Sequence, residues 1–588
     1  MTNAPLHDSN PCRPRHFKPG PCGPAPQEGP VQQLLEMSHT RLIITGALIC
    51  LAFLVISVRL IEVAGFKSGD ARFARSVPQS PIPVSRADIR DRNGVVLATT
   101  LETPSLYANS KDLLGNPKDL QRARDAAHQL VQVIPDLNEA EVYAKLASDK
   151  SFIWLKRRLT PREQEAVNRL GIPGLNFQQE EMRVYPQDNT AAHVVGYVGI
   201  DNKGLGGIER EFDETLRRQQ PVDLSIDLRI QAILRDEVAQ QMTTFSAIGG
   251  SGIIMDVNTG EVIALVSLPD FDPNDPGASP AQNLFNRITL GTYEIGSVFK
   301  IFTTAMALDE HVTSMSGGYD ATNPIKVGRF TIHDDHAQRR WLTVPEIFMY
   351  SSNIGAAKMA LDVGGDKQRA FLARLGLLKA PSFELPEIAA PLYPTHWEQV
   401  NTMTIGFGHG ISVSPLQIAS AVSAVVNGGT LRPATLLKQP EGETVAGQRV
   451  ISTSTSIELR KLLRLVVEKG TGKLAEAPGY LVGGKTGTAE KVEGRRYAVH
   501  SLISSFAGVF PINNPRYFVM ISIDEPHGNA KSFGFATGGW VAAPGVAQTV
   551  ERMAPLVGIQ PVDEDSPEIR RSLVVALPVP SGRKFASN

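Results

Sequence analysis

The sequence predicts an α+β protein with a single membrane span near its N-terminus. Three observations lead there. Residues 42–58 are uncharged and bounded by Arg41 and Arg59. Later stretches, among them 297–308 and 344–361, are apolar at helical spacing. The C-terminal third carries short apolar runs broken by Gly, Pro and Asn, the pattern of strands and turns. Helices and strands that occupy different parts of a chain indicate α+β.

At 588 residues the chain has room for about three or four average domains. Its 59 basic and 60 acidic residues balance, so nothing points to a nucleic-acid partner. Cys12, Cys22 and Cys50 are its three cysteines. Everything after them lacks thiols, which excludes a disulfide framework or a thiolate metal site there and suits an oxidising compartment.

Residues 1–40 are rich in proline and poor in aliphatic side chains, a disordered tail. Residues 41–62, with Arg59 snorkelling, are just long enough to cross about 30 Å of hydrocarbon. The run is too long and too far from the start for a cleaved signal peptide. Arg41 stands nearly alone before it, whereas Lys67, Arg72 and Arg75 follow, so charge does not support an internal N-terminus. From 63 to 220 the chain reads as a non-catalytic module. Asn93-Gly94 marks a hairpin, helical periodicity covers 120–134 and 138–147, and His193, beside Val194 and Val195, reads as a structural, hydrogen-bonded histidine.

A second domain opens near 221, with an amphipathic helix to Met242. Residues 252–266 form a hairpin about Asn258-Thr259-Gly260. A helix over 344–361 is interrupted by Ser351-Ser352-Asn353, polar residues that need buried partners or a cavity. The last third is expected to be mostly strands, with 479–490, 501–510 and 516–523 as a three-stranded antiparallel meander. The domain runs to 558, and 559–588 read as a loose tail.

The chain is organised around Gly296-Ser297-Val298-Phe299-Lys300. Three-residue spacing on a helix brings the Lys300 amine to the Ser297 hydroxyl. A serine in the first turn also lies beside backbone N–H groups without helical partners. The pattern alone is weak, since Ser581 and Lys584 repeat it in the basic tail, and Lys67-Ser68-Gly69 mimics Lys485-Thr486-Gly487. Order and context decide. Ser-x-x-Lys opens a buried helix, Ser351-Ser352-Asn353 follows about fifty residues later, and Lys485-Thr486-Gly487-Thr488 lies on a strand.

That ordered trio resembles the active-site serine penicillin-recognising enzymes. Arg90-Asp91-Arg92-Asn93-Gly94, Arg183-Val184-Tyr185-Pro186, Gly204 to Glu209, Gly406-Phe407-Gly408, Ser414 to Gln417 and Gly470-Thr471-Gly472 extend the likeness. It is to class B penicillin-binding proteins over about residues 41–555, and within them to the division-type members. Ile295 departs from the family's usual proline.

The resemblance implies an N-terminal transmembrane helix, an elongated pedestal or dimerisation-type domain over 63–220, and a serine β-lactamase-like transpeptidase domain over 221–558 whose antiparallel sheet packs between helices. It sets the tail inside and residues from about 62 outside the cytoplasmic membrane. It further implies a D,D-transpeptidase that cross-links peptidoglycan stem peptides at the septum and is acylated by β-lactams. Ser297 is then the nucleophile and Lys300 the base, neutral through burial and the nearby charge of Lys485. Ser351 relays a proton, and Asn353 holds Lys300 and the substrate amide. Lys485, Thr486 and Thr488 take the terminal carboxylate, the N–H groups of Ser297 and Thr488 form the oxyanion hole, and Gly487 leaves room for substrate backbone. No cofactor and no metal are implied. The partners implied are lipid-linked precursor, divisome proteins and a polytopic glycan-polymerising protein of the FtsW kind. An elongation-type transpeptidase is the near alternative, and a β-lactamase or β-lactam sensor the distant one.

Overall fold

The structure, a computed structural model, describes Ala47, residues 49–58 and residues 85–577, apart from 117, 118, 149, 329, 441, 443, 444, 494 and 495. Residues 49–58 are helical, and no helix among the described residues is long and apolar enough to cross a membrane. The span expected at 41–62 lies partly outside the described residues, and the Pro-rich stretch 1–40 lies wholly outside them.

Asn93 and Gly94 turn strand β1 (Ile89–Arg90) back into β2 (Val96–Ala108), as the hairpin signal predicts. Asp91 builds the turn, because its Oδ1 accepts from the N–H groups of Asn93 and Val95, both at 2.8 Å. Its Oδ2 accepts from Leu228 N–H at 3.1 Å. One carboxylate thus joins the hairpin to the following domain. Strand β2 runs on between β3 (Ile153–Lys156) and β4 (Leu175–Val184), while β5 (Val222–Asp223) pairs in parallel with β1. The predicted helices are α1 (Leu120–Val133) and α2 (Glu139–Leu146). Asn138 caps the second by accepting from the N–H groups of Ala140 and Glu141. His193 is buried and its Nε2 lies 2.8 Å from the Asn283 carbonyl. Burial pushes its pKa down to about 4, which keeps the ring neutral and structural.

Two arginines share one carboxylate in this first domain. Arg86 Nε and Arg183 Nε donate to the two oxygens of Glu209 at 2.5 and 2.6 Å, with all three side chains within 1 % of full burial. Arg86 also reaches Asp213 at 2.6 Å. Removing one partner of a buried ion cluster leaves charge without compensation, so Glu209→Ala is expected to cost about 3–5 kcal/mol of unfolding free energy. Urea unfolding of the detergent-solubilised chain measures it; a loss below 1 kcal/mol would refute the burial argument.

The second domain is built on strands β6 (Gly249–Asp256), β7 (Val262–Leu268), β8 (Gly483–Glu493), β9 (Arg496–Phe510) and β10 (Tyr517–Asp524). The predicted hairpin is β6–β7 and the predicted meander is β8–β9–β10. Pairing of β10 with β6, from Tyr517 opposite Asp256 to Asp524 opposite Gly249, fuses them into one antiparallel sheet ordered β8-β9-β10-β6-β7. Alternation along β10 sends Phe518 and Met520 into one apolar cluster and Val519, Ile521 and Ile523 into another. Both sheet faces are therefore covered.

The helices that cover them are α3 (Leu228–Thr244), α4 (Lys300–Asp309), α5 (Val344–Tyr350), α6 (Asn353–Val363), α7 (Pro415–Val426), α8 (Thr453–Lys469) and α9 (Ala543–Met553). Ile230, Leu234 and Val238 of α3 and Val546 and Val550 of α9 share one cluster; α4, α5, α7 and α8 feed the other. Two expectations change here. The last third is not mostly strand, since α7, α8 and α9 lie in it, and Leu459, Leu462, Leu463 and Val466 of α8 are buried at helical spacing. The interruption expected in the 344–361 helix falls at Ser351, whose φ of 61° is left-handed and which separates α5 from α6. The tail is not loose up to Leu573: Pro567–Leu573 is helical and Leu573 is buried. Arg464, itself buried on α8, draws Glu564 to 2.8 Å alongside Glu468 and Glu476.

Candidate active site

Ser297 stands on a 3₁₀ turn, Gly296–Phe299, and the α-helix proper begins at Lys300. In a 3₁₀ turn residues three apart eclipse, so Lys300 still lies over Ser297. Gly296 sets the turn: its φ is 53°, and a Cβ there would fall 2.4 Å from the Thr488 carbonyl oxygen. The serine turn is thereby pressed against β8. From the strand side, a Cβ on Gly487 would meet Ile295 O at 2.5 Å and Val298 Cγ2 at 2.9 Å. The space expected to admit substrate backbone is therefore filled by the serine turn itself. Ile295 is buried, and its φ of −104° departs from the value of about −65° that a proline would impose.

The two lysines meet at Ser351. Lys300 is 1 % exposed, and its Nζ lies 2.9 Å from Ser297 Oγ. It donates to Ser351 O at 2.5 Å and Asn353 Oδ1 at 2.7 Å, and lies 3.1 Å from Ser351 Oγ. Lys485 is fully buried and its Nζ donates to Ser351 Oγ at 2.9 Å. The left-handed Ser351 backbone is what turns both its carbonyl and its hydroxyl towards these amines. Among the described residues no carboxylate forms an ion pair with either lysine. A neutral amine has two donors and one acceptor, so Lys300 can donate to Ser351 O and Asn353 Oδ1 while receiving the Ser297 proton.

Burial pushes the Lys300 pKa down to about 7, against the opposing fields of Asp334 and Asp335. Lys485 is also lowered well below its ordinary value, by burial first and then by the charge of Lys300. Desolvation is the larger cause at both amines, and the repulsion between their ammonium forms, being mutual, disfavours charging both at once.

Thr486 and Thr488, alternate residues of β8, line a cleft of about 380 Å³ together with Ser297 and Ser351. Thr486 Oγ1 lies 2.7 Å from Thr471 Oγ1, and Thr488 Oγ1 accepts from Gly538 N–H at 3.1 Å. Asn353 Nδ2 donates to the His333 carbonyl at 3.0 Å. Sequence reasoning missed Asp334, which accepts from Ser352 Oγ at 2.7 Å and from Ile354 N–H at 2.9 Å and so anchors the start of α6. It also missed Asp335, His336, Lys473 and Trp540 in the cleft wall. A Gly-Thr-Gly landmark signalled Thr471; no periodicity or spacing signalled the others.

Known proteins match this architecture. A model of the penicillin-binding protein transpeptidase domain matches residues 250–547, and one of the penicillin-binding protein dimerisation domain matches 81–223. The chain is 41 % identical over 490 residues, 81 % of its length and 82 % of the relative's, to a probable peptidoglycan D,D-transpeptidase FtsI of Caulobacter vibrioides. It is 29 % identical over 84 % of its length to the peptidoglycan D,D-transpeptidase FtsI of Escherichia coli K12, covering 88 % of that protein. In backbone architecture it is similar, with a TM-score of 0.64, to penicillin-binding protein 3 of Mycobacterium tuberculosis in complex with aztreonam. That alignment has 24 % identity and covers 82 % of this chain and 98 % of the other. With both domain models matched in order and the FtsI likeness extending over four-fifths of its length, the chain belongs to the class B penicillin-binding proteins, and to their FtsI type.

Proposed function

We propose that the chain is a septal peptidoglycan D,D-transpeptidase working through a Ser297 acyl-enzyme, and a target of β-lactams. The observation that carries this is the Ser297–Lys300–Ser351–Lys485 chain of contacts at the floor of one cleft. Ser297 Oγ attacks the carbonyl between two terminal D-alanines while Lys300 takes its proton. Ser351, held between the two amines, passes a proton to the departing D-alanine. Lys485, a buried amine with only neutral oxygens around it, together with Thr486 and Thr488, receives the donor's terminal carboxylate. The backbones of Ser297 and Thr488, brought together through Gly296, supply the oxyanion N–H groups. Residues 41–62 anchor the chain in the cytoplasmic membrane with the cleft outside, beside a polytopic glycan-polymerising partner of the FtsW kind.

Mapping the adduct of a fluorescent penicillin by peptide mass spectrometry tests the site. The label is expected on the peptide bearing Ser297, and a label elsewhere refutes the assignment. Localisation tests the septal role, since an even side-wall distribution in dividing cells would favour elongation. The base must be neutral to act, so acylation is expected to fall about tenfold per pH unit below about 7 and to level off above it. Stopped-flow labelling across pH measures this. A profile flat through that value would count against Lys300 as the base.

A further inference from the structure

We propose that Asp335 is the seat of the acceptor amine, the nucleophile that takes the acyl group from Ser297. This rests on the transpeptidase function proposed above. The reaction brings two charged ends into one cleft: a donor carboxylate and an acceptor that arrives as an ammonium. The groups that suit the first are Thr486, Thr488 and Lys473 of the cleft lining, with buried Lys485 bonded to Ser351. Asp335 carries the only carboxylate among the described residues lining the cleft. It is exposed and makes no hydrogen bond or ion pair with a described residue, so its oxygens are open to a ligand.

Its neighbour fixes its place. Asp334 is buried and spent on Ser352 and Ile354, and Asn353 Nδ2 holds the His333 carbonyl at 3.0 Å. The segment bearing Asp335 is thus clamped to the start of α6, the helix that presents Asn353 to Lys300. Asp335 is close enough for its field to act on Lys300, making that amine easier to protonate.

The step balances without a further reactant. The ammonium gives one proton to solvent and becomes a free amine. Its nitrogen forms a C–N bond to the ester carbon, the bond from that carbon to Ser297 Oγ breaks, and the second amine proton reaches Ser297 Oγ by way of Lys300. The products are an amide and the free serine.

The test is the partition of one acyl-enzyme, which does not depend on how fast it forms. The full chain in detergent is given a thioester donor and either D-alaninamide, an ammonium at neutral pH, or hydroxylamine, which is uncharged. Asp335→Asn is expected to lower the ratio of aminolysis to hydrolysis about tenfold with D-alaninamide, the scale of one lost charged hydrogen bond. The ratio with hydroxylamine is expected to hold, and Asp335→Glu to restore most of the first. An unchanged D-alaninamide ratio in Asp335→Asn, or equal losses with both nucleophiles, overturns the assignment. A wild-type chain that forms no acyl-enzyme from the donor overturns the transpeptidase function itself, and this assignment with it.

Discussion

Ser297→Ala is expected to lose covalent penicillin labelling altogether, and Lys300→Ala to slow it by about a thousandfold, within the usual range for losing a positioned general base. The argument is geometric first. Ser297 Oγ has one amine at 2.9 Å, and Lys485 is engaged with Ser351 instead, so no second base replaces Lys300. Stability separates chemistry from damage. Lys300→Ala leaves Ser351 O and Asn353 Oδ1 without their donor, a cost of about 1–3 kcal/mol, offset in part because no buried amine remains to be desolvated. Urea unfolding should stay cooperative with a modest midpoint shift. Labelling of Lys300→Ala within a few-fold of wild type would end the case for it as base.

The strongest element of the site in the sequence is also the one whose local form it misstates. Ser-x-x-Lys was legible as a reacting pair because three-residue spacing works in either an α-helix or a 3₁₀ turn. The choice between them was not legible, because it depends on Gly296 meeting Thr488, a residue far along the chain. The hairpins of both domains and helices α1 to α6 followed from turn residues and periodicity, whereas α7, α8 and α9 did not. The β10–β6 pairing did not, since it joins strands more than 250 residues apart. Convergence of Ser297, Ser351 and Lys485 was legible only through family likeness. Asp334 and Asp335 sit side by side in a segment with no pattern of its own, yet one is buried as a helix anchor and the other faces the cleft. Arg464 explains the docked tail in the same way, by a buried charge whose third carboxylate comes from Glu564.

Gly487→Val is expected to lower stability and acylation together, because the strand and the serine turn meet at that residue. A Cβ there would stand 2.5 Å from Ile295 O and 2.9 Å from Val298 Cγ2, and neither neighbour has room to yield. Ile295 is 2 % exposed and Val298 is fully buried. Overpacking of a filled core costs about 1–3 kcal/mol, and the softest response is for the turn to lift from β8. That lift carries Ser297 away from the Thr488 backbone and from Lys300, and misplacement of about 1 Å can cost on the order of a hundredfold in rate. If Gly487 served instead to clear substrate backbone, the substitution would raise KM for a thioester donor and leave both kcat and the unfolding midpoint near wild type. The two accounts therefore part on kcat. A loss of at least tenfold in kcat, with a lowered midpoint, is the outcome expected from a glycine that seats the nucleophile.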